Sequence, residues 1–408
     1  MKNDVQNGVC VVGAGPAGLV ASLCLARLGL RVAIIGPRAA RADNRTAALF
    51  TGSVQLLRNL GAWDDCRAGA EPLVAIRIVD DMGALLRAPE VVFTAAEVGL
   101  DAFGYNIPNA ILVNALHKQV AAAGITLIET TPVEGIDIAA ENVAVRRAEE
   151  APITTRLVVG ADGRNSVCRA AAGITARTWS YEQSAITCTF AHERPHHGIS
   201  TEFHRPAGPL TVVPAPGLSS SLVWVERPAI ARRLADMDDA TFRSALETRL
   251  QGLLGPIGAL GPRGNFPLSG LTANEAGRNR VALVGEAAHV IPPIGAQGLN
   301  LGFRDAAILA DCVSDALGTG GDIGAPETLS AYSRARRFDI ATRAWSIDLL
   351  NRSLISGYLP IQLLRGAGLF ALKAINPLRR LAIREGLAPS FLTPRLMQSN
   401  RADRTASP

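Results

Sequence analysis

The chain has 408 residues, 48% of them hydrophobic and 19% charged, with a formal net charge of +5. This is the balance of a globular protein long enough for two or three domains, and it offers no aromatic-rich basic groove for nucleic acid. Six scattered cysteines (Cys10, Cys24, Cys66, Cys168, Cys188 and Cys312) form no C-x-x-C pair, which speaks against a disulfide framework or a metal site and fits a reducing compartment.

In chain order, Met1 to Gly8 is polar and lacks the apolar stretch of a signal peptide. No later window holds about 18 apolar residues without charge or breaker. A cytoplasmic protein is expected, with peripheral attachment to the inner face of the membrane as an open addition. Val9 to Val12 is a β-branched run, followed by Gly13-Ala14-Gly15-Pro16-Ala17-Gly18. Leu19, Leu23, Ala26 and Leu28 then recur at helical spacing, Gly29 provides a stop, and Arg31 to Ile35 reads as the next strand. This is a strand–turn–helix–strand unit with G-x-G-x-x-G at the turn, the context a dinucleotide site requires. The first glycine makes the tight turn, the second lets backbone approach a pyrophosphate, and the third lets helix pack on strand. Pro16 suits a first helical turn because an N–H there has no partner in the helix. The competing reading is a glycine-rich turn that binds nothing. The acid that usually ends the second strand is missing: Gly36, Pro37 and Arg38 stand there, so backbone or Arg38 would meet the ribose or a phosphate.

Residues 74–93 read as strand, turn, strand. Arg156 to Arg169 holds an apolar strand, an Asp162-Gly163 turn and a charged helix start, with Asp162 as helix cap the alternative to a binding role. Residues 176–275 alternate polar and apolar with many breakers, as strands of a mixed sheet do, and Thr241 to Leu254 reads as a helix. Val281 to Val284 is a strand that runs through Gly285 to a carboxylate, Glu286. A loop with Pro292, Pro293 and Gly295 then opens a helix near Gly298 whose N–H groups could hold an anionic group.

These three motifs, in this order and spacing, resemble the class A flavoprotein monooxygenases, the group of para-hydroxybenzoate hydroxylase. Within it the chain is most similar to the ubiquinone-biosynthesis hydroxylases of the UbiH/UbiF type. Supporting segments are Arg45-Thr46-Ala47-Ala48-Leu49, Gly104-Tyr105-Asn106-Ile107-Pro108-Asn109, Phe266-Pro267-Leu268 and Asp348-Leu349-Leu350-Asn351-Arg352-Ser353. The resemblance implies an α/β fold: a Rossmann-like FAD-binding domain (1–75, 95–175 and 276–330), an inserted mixed β-sheet substrate domain (76–94 and 176–275) and a helical C-terminal region (331–408).

It also implies site roles. Gly13, Gly15, Pro16, Ala17 and Gly18 take the FAD pyrophosphate. Arg45 and Asn109 meet FAD, and Asp162 and Gly163 touch FAD and the nicotinamide donor. Gly285 and Glu286 stand at the ribitol, where the family usually has Asp. Gly298, Leu299 and Asn300 offer backbone N–H groups to the flavin pyrimidine. Pro292 and Pro293 face the substrate side. The implied activity uses NAD(P)H and O2 to hydroxylate the aromatic ring of a polyprenylated phenol or quinol through a flavin C4a-hydroperoxide. Other readings are a hydroxylase of a small soluble phenol, a geranylgeranyl-reductase-like enzyme, and a non-catalytic flavin-binding subunit of a biosynthetic complex. A flavin halogenase is disfavoured because the W-x-W-x-I-P element is absent.

From Ala331 to Gly386 ten Arg or Lys face three acids, a surplus larger than the net charge of the whole chain. Ser346 to Leu354 and Pro360 to Ala371 carry apolar residues at helical spacing. The region reads either as a helical cap on the FAD domain or as a basic, apolar surface for a membrane or partner protein. His196-His197 is expected at the surface, and no histidine has ligand spacing.

Overall fold

In the computed structural model, residues 8–36, 45–83, 89–129, 133–148, 150–355, 370, 375–387 and 393–399 are described. The run Val9–Val12 is buried throughout, in parallel pairing with Val32–Ile35 on one side and Leu157–Gly160 on the other. Thr126–Ile128 continues this sheet at one edge, and Val281–Leu283 followed by Gly277–Arg278 continues it at the other. All pairs are parallel except the short 277–283 hairpin.

Such strands are apolar on both faces because both are covered. Val9, Val11, Leu157 and Val159 enter one core with Leu19, Leu23, Phe303 and Ala307 of helices Pro16–Ala26 and Gln297–Gly318. Cys10, Val12 and Val158 enter a second core with Ile136, Val145 and Ile153 of a three-stranded antiparallel sheet. Burial pushes the thiols of Cys10 and Cys188 up to about 12 and those of Cys66 and Cys312 to about 11, which keeps them protonated.

A nine-stranded sheet is built from Ala75–Asp80, Val91–Thr94 and the strands between Ala176 and Ala273, joined by His289–Val290. It is mixed: Ile199–His204 pairs in parallel with Ala75–Asp80, and the other neighbours are antiparallel. Ile186, Cys188, Leu222 and Trp224 on one face pack under Leu234, Phe242 and Leu246 of two helices. The second of these runs Asp239–Leu250, earlier than the 241–254 expected. Asp238 accepts a hydrogen bond from the Thr241 N–H at 2.9 Å and sets the start, and Gln251 turns left-handed at φ 52° and ends it.

The C-terminal part holds a 30-residue helix, Pro326–Ile355, which includes the expected 346–354 segment, and a helix Asn376–Leu387. The helix expected over 360–371 lies outside the described residues apart from position 370. The basic surplus there is only partly a surface. Arg336 is fully buried, Arg343 pairs with Asp339, and Arg379 pairs with Glu97. His196 also departs from expectation: its side chain is 9% exposed and its Nε2 lies 3.0 Å from the Ala215 carbonyl oxygen. Among the described residues no helix is long and apolar enough to cross a membrane, and no cluster of His, Cys, Asp or Glu could hold a metal.

Candidate cofactor site

Three turns leave the carboxyl ends of three adjacent parallel strands. Gly13 follows Val12, Ala161 follows Gly160, and Gly285 lies two residues beyond Leu283. In open α/β sheets this edge is where ligands bind. The glycines do two different jobs. A Cβ at Gly13 (φ +116°) would sit 2.2 Å from the Ala161 carbonyl oxygen, and one at Gly18 would sit 2.0 Å from that of Gly13. Both are needed for close packing of the turn. A Cβ at Gly15 would meet nothing within 4 Å. The helix then starts at Pro16 without a side-chain cap, so its end presents open N–H groups and positive dipole charge to that space.

The turns also touch. The Cβ of Ala17 lies 3.1 Å from where a Gly285 Cβ would stand and 3.5 Å from that of Gly302. Gly285 needs its left-handed φ of +60°, and Glu286 beside it is exposed. Asp162 is engaged in the fold: it accepts from Ser166 Oγ at 2.6 Å and from the Cys168 N–H at 3.0 Å. The N-cap of the helix is Ser166 rather than the expected Asp162, which braces that cap. Gly163 next to it, φ +77°, has open space around it.

The third motif forms a second open helix start. The Ile294 N–H donates to the Pro292 carbonyl at 2.7 Å, with Pro292 buried and Pro293 exposed. Ala296 holds a left-handed φ of 53°, a conformation that costs a non-glycine residue about 1 kcal/mol. It leads into helix Gln297–Gly318 without a side-chain cap. A Cβ at Gly298 would meet nothing within 4 Å, while Leu299 packs on the core.

Asn300 fastens this helix start through its side chain. Oδ1 accepts from the Phe50 N–H at 2.9 Å and Ser53 Oγ at 2.7 Å, and Nδ2 donates to the Ala48 and Ala296 carbonyls at 2.8 Å each. Arg45 and Asn109 are brought together where two strands end, with the Asn109 N–H donating to the Arg45 carbonyl at 2.9 Å. The Arg45 guanidinium lies 5.2 Å over the Phe266 ring of the large sheet. Arg38 lies outside the described residues.

Sequence reasoning missed a set of buried charges behind this loop. Asp305 is fully buried and bonded to Gly285, His289 and Arg336. Burial pushes its carboxyl up, but His289 and Arg336 outweigh that and the net shift is downward. The only hint was a lone acid in an apolar stretch of the 279–306 motif. A cavity of about 490 Å³ opens on another side of the same helix, lined by Phe50, Tyr105, Gln297, Asn300, Arg304 and Arg343 among others. Neither Gly15 nor the two prolines border it. Positions 297, 300, 301 and 304 form a helix face distinct from the 298 and 302 side that meets the glycine turns.

The family model described as FAD binding domain matches residues 6–345. The chain belongs to the FAD-dependent aromatic monooxygenases. Ubiquinone hydroxylase UbiL of Rhodospirillum rubrum is 34% identical over 405 residues, covering 97% of this chain and 93% of the relative. The 3-demethoxyubiquinol 3-hydroxylase of Escherichia coli is 30% identical, covering 93% and 98%. In fold the chain is similar to p-nitrophenol 4-monooxygenase PnpA of Pseudomonas putida, with TM-score 0.76, 22% identity and coverage of 95% and 98%. FAD is the cofactor of this monooxygenase family, with NAD(P)H and O2 its typical co-substrates. The residues fit the group: two uncapped helix starts and open space over Gly15, Gly163 and Gly298 provide donors and room on one sheet edge.

Proposed function

We propose that this monooxygenase hydroxylates the aromatic ring of a polyprenylated phenol or quinol precursor in ubiquinone biosynthesis. The observation that carries a flavin site is the meeting of three glycine turns, far apart in sequence, at the carboxyl ends of neighbouring strands. The substrate class rests on two relatives with ubiquinone or ubiquinol in their names that align over nearly the whole chain.

In this reading the FAD-binding domain comprises 1–75, 95–175 and 276–330, and the substrate domain 76–94 and 176–275. Open amides at Ala17 and Gly18 hold the pyrophosphate, with Arg45 and Asn109 close to FAD and Gly163 offering backbone to it. Glu286 accepts from the ribitol hydroxyls. The amides of Gly298, Leu299 and Asn300 hold the pyrimidine edge, and Asn300 keeps that helix start in place through its four side-chain bonds. Pro292 and Pro293, without N–H groups, form a rigid wall on the substrate side. When bound, FAD supplies hydride acceptance from NAD(P)H and oxygen activation. The protein's part is to orient the ring and exclude water.

Helix Asn376–Leu387 turns Ile383 into the cluster of Val91, Phe93 and Phe103 and leaves Arg380, Leu381 and Arg384 exposed. This basic, apolar face of helix Asn376–Leu387 suits peripheral contact with a membrane surface or a complex partner, while the prenyl tail stays outside the pocket.

The test supplies the purified flavoprotein with NAD(P)H, O2 and either a prenylated phenol or the same ring without its tail. The expected result is product heavier by one oxygen from the prenylated substrate, with much lower turnover of the bare ring. Equal turnover of both would replace the substrate class, and no oxygenated product from either would remove the activity.

A further inference from the structure

The Asp305 carboxylate is fully buried, yet it receives three donors from three segments. These are the Gly285 N–H at 2.8 Å, His289 Nε2 at 2.7 Å and Arg336 Nε at 2.6 Å. Gly285 belongs to the turn beside Glu286, His289 to the strand that joins the large sheet, and Arg336 to helix Pro326–Ile355. Arg336, also fully buried, passes the chain on: its Nη1 donates to Asp339 Oδ2 at 2.6 Å. Asp339 pairs with Arg304 at 2.9 Å and Arg343 at 2.8 Å. Arg343 Nη1 then donates to Gln297 Oε1 at 2.6 Å, on the first residue of the long helix. One ladder of buried charge therefore runs from the Gly285 turn to the Gln297 helix start.

A buried charge tolerates no vacancy, since an unpaired one is strongly destabilising. Each rung is thus held in one arrangement, and the turn cannot shift without loss of a bond to Asp305. We propose that Arg336 is a positioning residue for FAD. Through Asp305 it fixes the Gly285–Glu286 turn, and so couples seating of helix Pro326–Ile355 to cofactor binding. The inference rests on the reading that this turn contacts the ribitol.

The coupling is reciprocal. FAD should tighten a helix that does not itself reach the glycine turns, and disturbing that helix at Arg336 should weaken FAD. Arg336→Lys keeps the charge but loses the fork, so one ammonium cannot serve Asp305 and Asp339 as the guanidinium does. The bonds Tyr332 to Leu283 and Gly277 to Ser333 still attach the helix in that variant.

The experiment strips and restores FAD on the full chain while measuring FAD affinity and amide hydrogen exchange. In the wild type, FAD is expected to slow exchange across 326–343 as well as at 13–18. In Arg336→Lys, FAD affinity falls about tenfold, within the usual range of coupling energies, and the FAD-dependent protection of 326–343 is lost while that of 13–18 persists. A purely structural role would lower the melting temperature without uncoupling these two segments. Should Arg336→Lys not fold, Asp339→Asn cuts the ladder one rung further out and is read the same way. Unchanged exchange at 326–343 on FAD binding, or variant affinity within twofold of wild type, overturns the coupling. Glu286→Gln separates the two readings. If it leaves FAD affinity unchanged, the ribitol contact fails and the inference with it. If it weakens FAD while Arg336→Lys does not, the coupling alone fails.

Discussion

Two regions around the same loop reach rigidity by opposite means. The Gly13–Gly18 turn is shaped by what is missing: two side chains that would collide with backbone and one that would fill open space. The ladder from Gly285 to Gln297 is shaped by what is present, namely five charged side chains, two of them fully buried and each matched to a partner. The first tolerates no added atom at Gly13 or Gly18, and the second no removed charge. The first kind of region leaves open space over Gly15, and in the proposal above the second keeps the Gly285 turn in register for the cofactor.

The sharpest break of this contrast is Gly13→Val. Its Cβ would overlap the Ala161 carbonyl, and φ +116° is foreign to a β-branched residue. Soluble, folded protein is expected to be lost, as judged by yield and circular dichroism. Next is Asp305→Asn, which takes the fully buried carboxylate from Arg336 and leaves it only Asp339, already shared with Arg304 and Arg343. A loss of about 3–5 kcal/mol is expected from the breaking of a buried pair, measured by urea unfolding with the flavin removed.

The outer half of the ladder can be probed by acid. Burial pushes the Asp339 carboxyl up, but Arg336, Arg304 and Arg343 outweigh it and hold it down to about 2, against 3.8 ordinarily. The folded value is the depressed one, so this stability is present above the unfolded value and is lost as pH falls through about 2. The loss amounts to ~2 kcal/mol, and the pH dependence of unfolding should weaken by that amount in Asp339→Asn. The smallest effect is expected at Asp162→Ala. Its carboxylate accepts from the hydroxyl of Ser166, the N-cap of helix Val167–Ala171, and from the Cys168 N–H in the first turn, so stability should fall by ~1 kcal/mol with FAD affinity nearly unchanged; a large loss of affinity would assign it a cofactor contact instead.

Much of this first region was legible because its signals are local. A β-branched run, three glycines at fixed spacing and a helical pattern lie within about thirty residues, and each has one steric meaning. The ladder was not, because Asp305 and Arg336 are 31 residues apart on separate helices and no short pattern announces a buried pair. For the same reason the basic surplus after Ala331 overstated a surface, since Arg336, Arg343 and Arg379 are used in ion pairs. Asp162 shows the reverse. Both of its readings were visible in the sequence, and only its bonds to Ser166 and Cys168 reveal what the side chain does in the fold.

The most direct test is FAD titration of the flavin-free chain beside its Gly15→Ala variant, with melting temperatures of both. Gly15 has an ordinary φ of −76° and free space beyond its Cα, so alanine should fold equally well. Equal melting temperatures with FAD bound at least about tenfold more weakly, the effect of roughly 1.4 kcal/mol of lost contact, are expected if the pyrophosphate lies over this glycine. Equal affinity would mean that the dinucleotide lies elsewhere.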